Sequence, residues 1–534
     1  MGNEIDIIMD NYLKKIKISF SVCILLLIIG IAGGGFMMKD NNFFNGKQFS
    51  QIISYLNYKL FFARANGENL TAAVISIFNY NAPVFEINKS GKSVPVLLYH
   101  GIIEKSDGAN VLLENFKNQM FALKKAGWQT ISIEDFYAFM QGKKELPDKS
   151  FLLTFDDGRK DSYYPVDPIL KALDYRAVIF IITKHSIGDE SGDRYYLSNS
   201  ELEMMTKSGR WDIQAHTKNG HDFIKIDDKG GEGHFYSNKL YLKDKNRLET
   251  DGEFKKRIAD DFAKAKEDLE KSLGRSVIAF AYPFGDFGQN SINFPEAKSV
   301  VSDMIKLIYP MSFYQVWGGN PKTNYSQPDS EHLFIKRTEV EPQWSANDLL
   351  TVLEKSLDKK LSHRDTLMKD NGCQKDWGSI DFKDGSMVIG ANASTTGSAV
   401  FLDGTYLWQN YVFKADIRLI KGQVFSLTAR YKDGKNYVAC LFSDKSIKIE
   451  QVLNGEKKVL SELAGDFVFL GKNREVGIGV YDDVINCYLD GEIAIKGYNL
   501  DQGLNHGGIG FKTWDPQVNN SELIVKSVSV EEIK

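Results

Sequence analysis

Asp156 and Asp157 close the apolar run Phe151-Leu152-Leu153 and are followed at once by Gly158. Two adjacent carboxylates at a strand end repel each other, so a site that holds them needs a cation or a shared proton. One of the pair then suits a metal ligand and the other a general base. Downstream, His216-Thr217-Lys218-Asn219-Gly220-His221 leaves an expected strand at residues 211–215. Imidazoles five apart do not share a helix face, so they have to converge across a loop. Neutral imidazole is a favoured transition-metal ligand. Together these residue types point to metal-assisted hydrolysis. Each also has a plainer role, since D-D-G opens turns and paired histidines can sit on a surface. With only eight histidines in the chain, a chance pair directly after a buried strand is less expected.

Two further stretches stand at strand ends. His100 closes the run at residues 94–99, either satisfied by backbone or acting as a general acid toward a leaving amine. Tyr282-Pro283-Phe284-Gly285 is either a Pro-Gly turn or one wall of a sugar groove, with Tyr282 or Phe284 stacking on a pyranose.

The elements that must position these residues alternate. Strands are expected at 94–99, 151–155, 177–182, 211–215 and 277–282. Helices are expected at 116–126, 164–173, 199–207 and 254–273, the last preceded by a polar, glycine-rich insertion at 222–252. Such alternation argues for a parallel α/β barrel or sheet, whose functional residues gather at the C-terminal ends of strands. His100, Asp156, Asp157, His216 and Pro283 all fall there. From about residue 377 the pattern becomes short alternating strands separated by turns such as Asp384-Gly385, Asn454-Gly455 and Asp490-Gly491. That reads as an all-β sandwich.

A chain of 534 residues exceeds one core. Net charge −4 and no Lys/Arg-rich patch argue against a nucleic-acid partner. The four cysteines form no C-x-x-C pair or disulfide framework, and Cys440 and Cys487 read as buried strand residues. Lys14, Lys15 and Lys17 precede an apolar run at residues 18–38, long enough for the roughly 20 residues that cross a bilayer. A single-pass signal-anchor is favoured over a cleaved signal peptide, and either exports the chain beyond about residue 40.

Residues 94 to about 345 resemble the polysaccharide deacetylases, the nodulation-type carbohydrate esterases of family four. Thr154-Phe155-Asp156-Asp157-Gly158 looks like their first motif, which implies Asp156 as base and Asp157 as metal ligand. The H-T-x-x-x-H segment looks like the second, which implies His216 and His221 on a divalent metal, zinc. Most members space these histidines by four. The five here, the Tyr282-Pro283-Phe284-Gly285 form of the third motif and Tyr99-His100 are similar to the branch acting on poly-β-1,6-N-acetylglucosamine. Most members carry Arg where this chain has Ala281. In that branch the strand-end histidine replaces a C-terminal L-x-H acid, which ranks His100 above His363 of Leu361-Ser362-His363.

The resemblance implies a deformed (β/α) barrel that removes N-acetyl groups from an extracellular N-acetylglucosamine polymer, with an oxyanion-stabilising backbone N–H near Tyr282. Peptidoglycan or chitin-oligomer deacetylation, and a non-catalytic glycan-binding surface protein, are the competing readings. Residues 370–534 resemble concanavalin- or laminin-G-like jelly-roll sandwiches, which implies carbohydrate binding. The expected division is 1–40 cytoplasmic N-terminus and transmembrane signal-anchor, 41–92 stalk, 93–365 deacetylase domain and 370–534 sandwich.

Overall fold

Seven strands, all parallel to their neighbours, close on themselves: β1 (Ser93–Tyr99), β2 (Ser150–Phe155), β3 (Ala177–Ile182), β4 (Trp211–Thr217), then, after a hairpin of β5 (Phe223–Lys225) and β6 (Glu232–His234), β7 (Ala279–Ala281), β8 (Met311–Gln315) and β9 (Leu333–Glu339). The ring runs β1–β9–β8–β7–β4–β3–β2 and closes where Val96 to Tyr99 pair with Leu152 to Phe155. The computed structural model describes residues 90–187, 195–316, 322–367 and 369–533. The expected membrane segment and nearly all of the stalk lie outside them. Among the described residues no helix is long and apolar enough to cross a membrane.

Side chains alternate across a strand, so each barrel strand serves two cores. One set (Val94 and Val96, Leu152, Val178 and Phe180, Ala279 and Ala281, Met311 and Phe313, Leu333 and Ile335) packs as a single interior cluster. Ile133, Phe136, Phe139 and Met140 of α1 (Ile133–Met140) join that cluster. The other set, including Leu97, Tyr99, Leu153, Phe155, Ile179 and Phe280, packs under the surrounding helices. The long α2 (Asp251–Leu273) starts at a Thr250–Glu253 capping box and stops at Gly274, as its sequence demands. β8 and β9 were not expected from sequence, and β9 carries Arg337, which pairs with Asp156.

From residue 363 onward the chain builds two antiparallel sheets, one of eight strands and one of seven among the described residues, over a shared apolar core. Three hairpins turn at the anticipated dipeptides. Asp384-Gly385, Asn454-Gly455 and Asp490-Gly491 all have positive φ at both residues, the conformation of two-residue hairpins. Cys440 and Cys487 are buried strand residues as expected, but the expectation of no disulfide is overturned. Cys440, on β12 of the seven-stranded sheet (after β10, His363–Asp365, and β11, Tyr411–Lys421; β12 is Asn436–Ser443), is disulfide-bonded to Cys487 on β13 (Val484–Leu489) of the eight-stranded sheet. The pair is 47 residues apart in sequence and is brought together only by sheet-on-sheet packing.

Candidate active site

Alternation along β2 places Leu152, Thr154 and Asp156 on the barrel's inner face, and alternation along β9 does the same for Leu333, Ile335 and Arg337. The two strand ends therefore deliver a carboxylate and a guanidinium into one buried space. Arg337 donates from both terminal nitrogens to Asp156, at 2.6 and 2.7 Å, and both side chains are essentially inaccessible. Burial works against the charge of Asp156, but Arg337, with His216 and His100 behind it, holds its pKa below the ordinary carboxylate value. The guanidinium also lies over the Phe180 ring, 5.3 Å from its centroid.

One residue further on the chain leaves the strand abruptly. Asp157 has φ +72° and Gly158 φ +74°. A left-handed aspartate is strained, and such strain concentrates at functional sites. A Cβ at residue 158 would stand 2.9 Å from Ile181, so glycine is needed for space as well as for its φ. The turn swings Asp157 toward the histidines: its Oδ1 lies 3.5 Å from His216 Nε2 and 3.3 Å from His221 Nε2. The three ligand atoms lie within 4.8 Å of one another.

This trio fits a divalent cation. Asp157 Oδ1 is buried and makes no hydrogen bond. His216 Nδ1 is 2.8 Å from the carbonyl of Ala281, which can only accept, so Nδ1 carries the proton and Nε2 keeps its lone pair facing Asp157. Burial pushes the His216 pKa down to about 4 against the pull of both aspartates, leaving the ring neutral at ordinary pH. Asp157 is likewise buried, yet His221, His216 and His100 hold its pKa well below the usual carboxylate range. One carboxylate oxygen and two imidazole nitrogens are a hydrolytic metal's donor set.

The loop that presents His221 is fixed by Asp261 of α2. This buried carboxylate accepts from Thr217 Oγ1 (2.6 Å), Tyr236 Oη (2.6 Å) and the amides of Lys218 and Asn219 (3.2 and 2.7 Å). His100 sits at the same mouth, partly exposed, with Nδ1 3.5 Å from Glu339 Oε1 and its carbonyl accepting from Ser162.

Three expectations change. His363 lies on β10, paired with Val530 of the sandwich and 6.1 Å from the Trp408 ring, so it belongs to the C-terminal unit and not to the barrel mouth. Tyr282 and Pro283 are buried, and the Tyr282 ring packs among Phe280, Phe287 and Phe334. A sugar cannot reach that ring; the exposed aromatic of the turn is Phe284. The Tyr282 N–H is also committed, donating to the Phe313 carbonyl at 3.0 Å, so it is no oxyanion donor. Arg337 and Asp261 escaped the sequence reading altogether. The strand alternation Leu333, Ile335, Arg337 was the available signal, because an arginine on an apolar face demands a carboxylate.

At the strand ends the parallel barrel thus brings together an Asp-His-His cluster and an ion-paired carboxylate. Residues 143–298 match the family described as polysaccharide deacetylase. The chain carries that domain over those residues. It is 27% identical over 368 residues to the poly-β-1,6-N-acetyl-D-glucosamine N-deacetylase of Escherichia coli (strain K12), covering 64% of this chain and 52% of that protein. The chain thus spans about half the length of that relative. The enzyme of the same description from Staphylococcus epidermidis is 25% identical, over 44% of this chain and 81% of its own. Among solved structures, a de-N-acetylase from Aggregatibacter actinomycetemcomitans aligns with 49% of this chain and 99% of its own at 19% identity, TM-score 0.41.

Proposed function

We propose that this protein is a metal-dependent hydrolase that removes N-acetyl groups from an N-acetylglucosamine polymer of the poly-β-1,6 type outside the cell. The observation that carries this reading is the adjacency of Asp156, clamped by Arg337, to the Asp157, His216 and His221 cluster. The names of the Escherichia coli and Staphylococcus epidermidis relatives support the substrate.

Asp157, His216 and His221 would hold the cation, zinc by donor type. When bound, it supplies Lewis acidity, lowering the pKa of a water and polarising the acetamide carbonyl. Asp156, kept charged and oriented by Arg337, takes the proton from the water that attacks that carbonyl. His100 at the rim gives a proton to the amine nitrogen as the C–N bond breaks, releasing acetate and leaving a free amine on the polymer. In the turn after β7, Pro283 has no N–H and that of Tyr282 is used, so the amide of Phe284 is the donor left for the oxyanion.

Location outside the cell rests on the apolar N-terminal run behind Lys14, Lys15 and Lys17, and on the Cys440–Cys487 disulfide, which persists in oxidising compartments. The sandwich is assigned a carbohydrate-holding role beside the barrel. Acetate release from β-1,6-linked N-acetylglucosamine oligomers, abolished by a chelator and by Asp156→Asn, tests the assignment. Undiminished release in Asp156→Asn and His216→Ala proteins would overturn it.

A further inference from the structure

The polar insertion between β4 and α2 folds back over the site. Its hairpin pairs Phe223 with His234 directly across the strands. Both rings then meet Phe284 of the turn after β7. The His234 ring stacks on Phe284 at 4.7 Å and 17°, and Phe223 lies 5.5 Å from the same ring. Phe284 in turn stands 4.5 Å from the His221 ring. A continuous aromatic surface therefore leads away from a member of the Asp-His-His cluster, and its two phenylalanines are 54% and 38% exposed.

The structure invests in keeping that surface in place. Phe284 adopts φ +59°, a left-handed conformation that is strained for a phenylalanine. His234 Nδ1 is 2.5 Å from Asp286 Oδ2, and the buried Asp286 is fixed in turn by Ser237 Oγ (2.6 Å) and the Gly288 amide (3.0 Å). Arg257 of α2 pins the rest of the insertion, donating to the carbonyls of Phe235 and Asn238 and pairing with Glu249. Exposed aromatics held this rigidly beside a reactive centre mark a binding surface, not leftover core.

We propose that Phe223 and Phe284, braced by His234, form a sugar subsite that stacks on the N-acetylhexosamine unit neighbouring the one being deacetylated. Its position follows from the surface's continuity with His221: a polymer with one unit at the cluster must send a neighbour along one wall of the mouth, and this wall is the aromatic one. Sugar rings present apolar C–H faces that suit such a platform, while His234 Nε2, with no protein partner among the described residues, offers a polar contact at its edge. The proposal rests on the glycan reading above but is separable from it.

The test uses the full chain treated with chelator, so that no turnover competes, titrated calorimetrically with a β-1,6-linked N-acetylglucosamine pentamer and with the monomer. The intact protein binds the pentamer more tightly than the monomer. Phe223→Ala weakens pentamer binding about tenfold, the scale of one lost aromatic contact. Phe223→Trp retains the affinity, which separates stacking from misfolding. His234→Phe keeps a ring against Phe284 but loses both the Asp286 brace and the edge contact, so its pentamer affinity falls as well. Pentamer binding unchanged in Phe223→Ala, or absent in the intact protein, overturns the subsite. Oligomer binding without acetate release by the metal-loaded chain overturns the enzymatic reading and leaves the subsite standing.

Discussion

Replacing Arg337 with Met isolates the one interaction that ties the proposed base into the barrel. Arg337 and Asp156 are both buried and joined by two hydrogen bonds of 2.6 and 2.7 Å. Removing the guanidinium leaves a buried carboxylate without its ion-pair partner. Breaking a buried pair in this way costs about 3–5 kcal/mol, a large share of a domain's usual 5–15. The alternative open to the protein is to protonate Asp156. Burial then acts on it without its main opponent, so its pKa rises. A base works only when charged, so the acid limb of the kcat/KM profile moves to higher pH. Asp156→Asn alone strands Arg337 instead, whereas the double variant Arg337→Met/Asp156→Asn buries no charge at this point. Urea unfolding of the four proteins at pH 7 is therefore strongly non-additive, with a coupling of about 2 kcal/mol or more. Additive single and double effects, together with an unmoved acid limb in Arg337→Met, would refute the reasoning.

Other expectations rest on the same geometry. His100→Ala lowers kcat on glycan substrates by about 10²–10⁴-fold, the usual worth of a general acid, measured by acetate release. Zinc titrated into chelated protein stabilises the fold with concentration, by about 2.7 kcal/mol at a hundredfold excess over Kd, seen as a rising midpoint of thermal unfolding; His221→Ala blunts the response in calorimetry. Asp212 has its pKa raised from 3.8 to about 6, by burial and then by Glu134, while accepting from the Ile133 amide. The folded state then holds the extra proton, so Asp212 withdraws stability as pH climbs from about 4 to 6. Asp212→Asn keeps the acceptor and is more stable than the parent at pH 8 by about 1–2 kcal/mol, after allowance for partial exposure, with no gain at pH 3.5 in urea unfolding. Replacing Cys440 and Cys487 by Ser opens a loop of 47 residues and lowers sandwich stability by up to about 4 kcal/mol, read by denaturation followed with proteolysis.

What could be read from sequence was whatever is local in the chain. Strand β3 (Ala177–Ile182) and the end of α2 (Asp251–Leu273) fell where expected, because an unbroken apolar run and a helix closed by glycine are written in consecutive residues. Asp156, Asp157 and His216 were legible because they stand at the ends of expected strands, and His221 because it follows His216 in the same short loop. The disulfide was not, because Cys440 and Cys487 meet only when two sheets pack. Phe223 and His234 were hidden for a similar reason. A polar, glycine-rich insertion has no periodicity to announce that its hairpin will place two rings against Phe284.

Arg337 shows why an alanine at 281 does not leave Asp156 without a counter-charge. The residue at 281 contributes only its carbonyl, which accepts from His216 Nδ1 and sets the tautomer of that ring. The guanidinium arrives from β9, two places round the barrel from β7, with β8 between them. A closed parallel barrel gathers all its strand C-termini at one mouth, so an inward-facing position on several strands reaches the same few ångströms. A buried Asp156 stays charged only beside a buried positive charge, and that places no demand on which strand supplies it. Sequence order therefore misleads at this point, whereas parity along the strand does not. Arg337 lies two and four residues beyond the inward-facing Ile335 and Leu333, just as Asp156 lies two and four beyond Thr154 and Leu152. Two alternations of this kind, one ending in Arg and the other in Asp, identify the pair without reference to a motif.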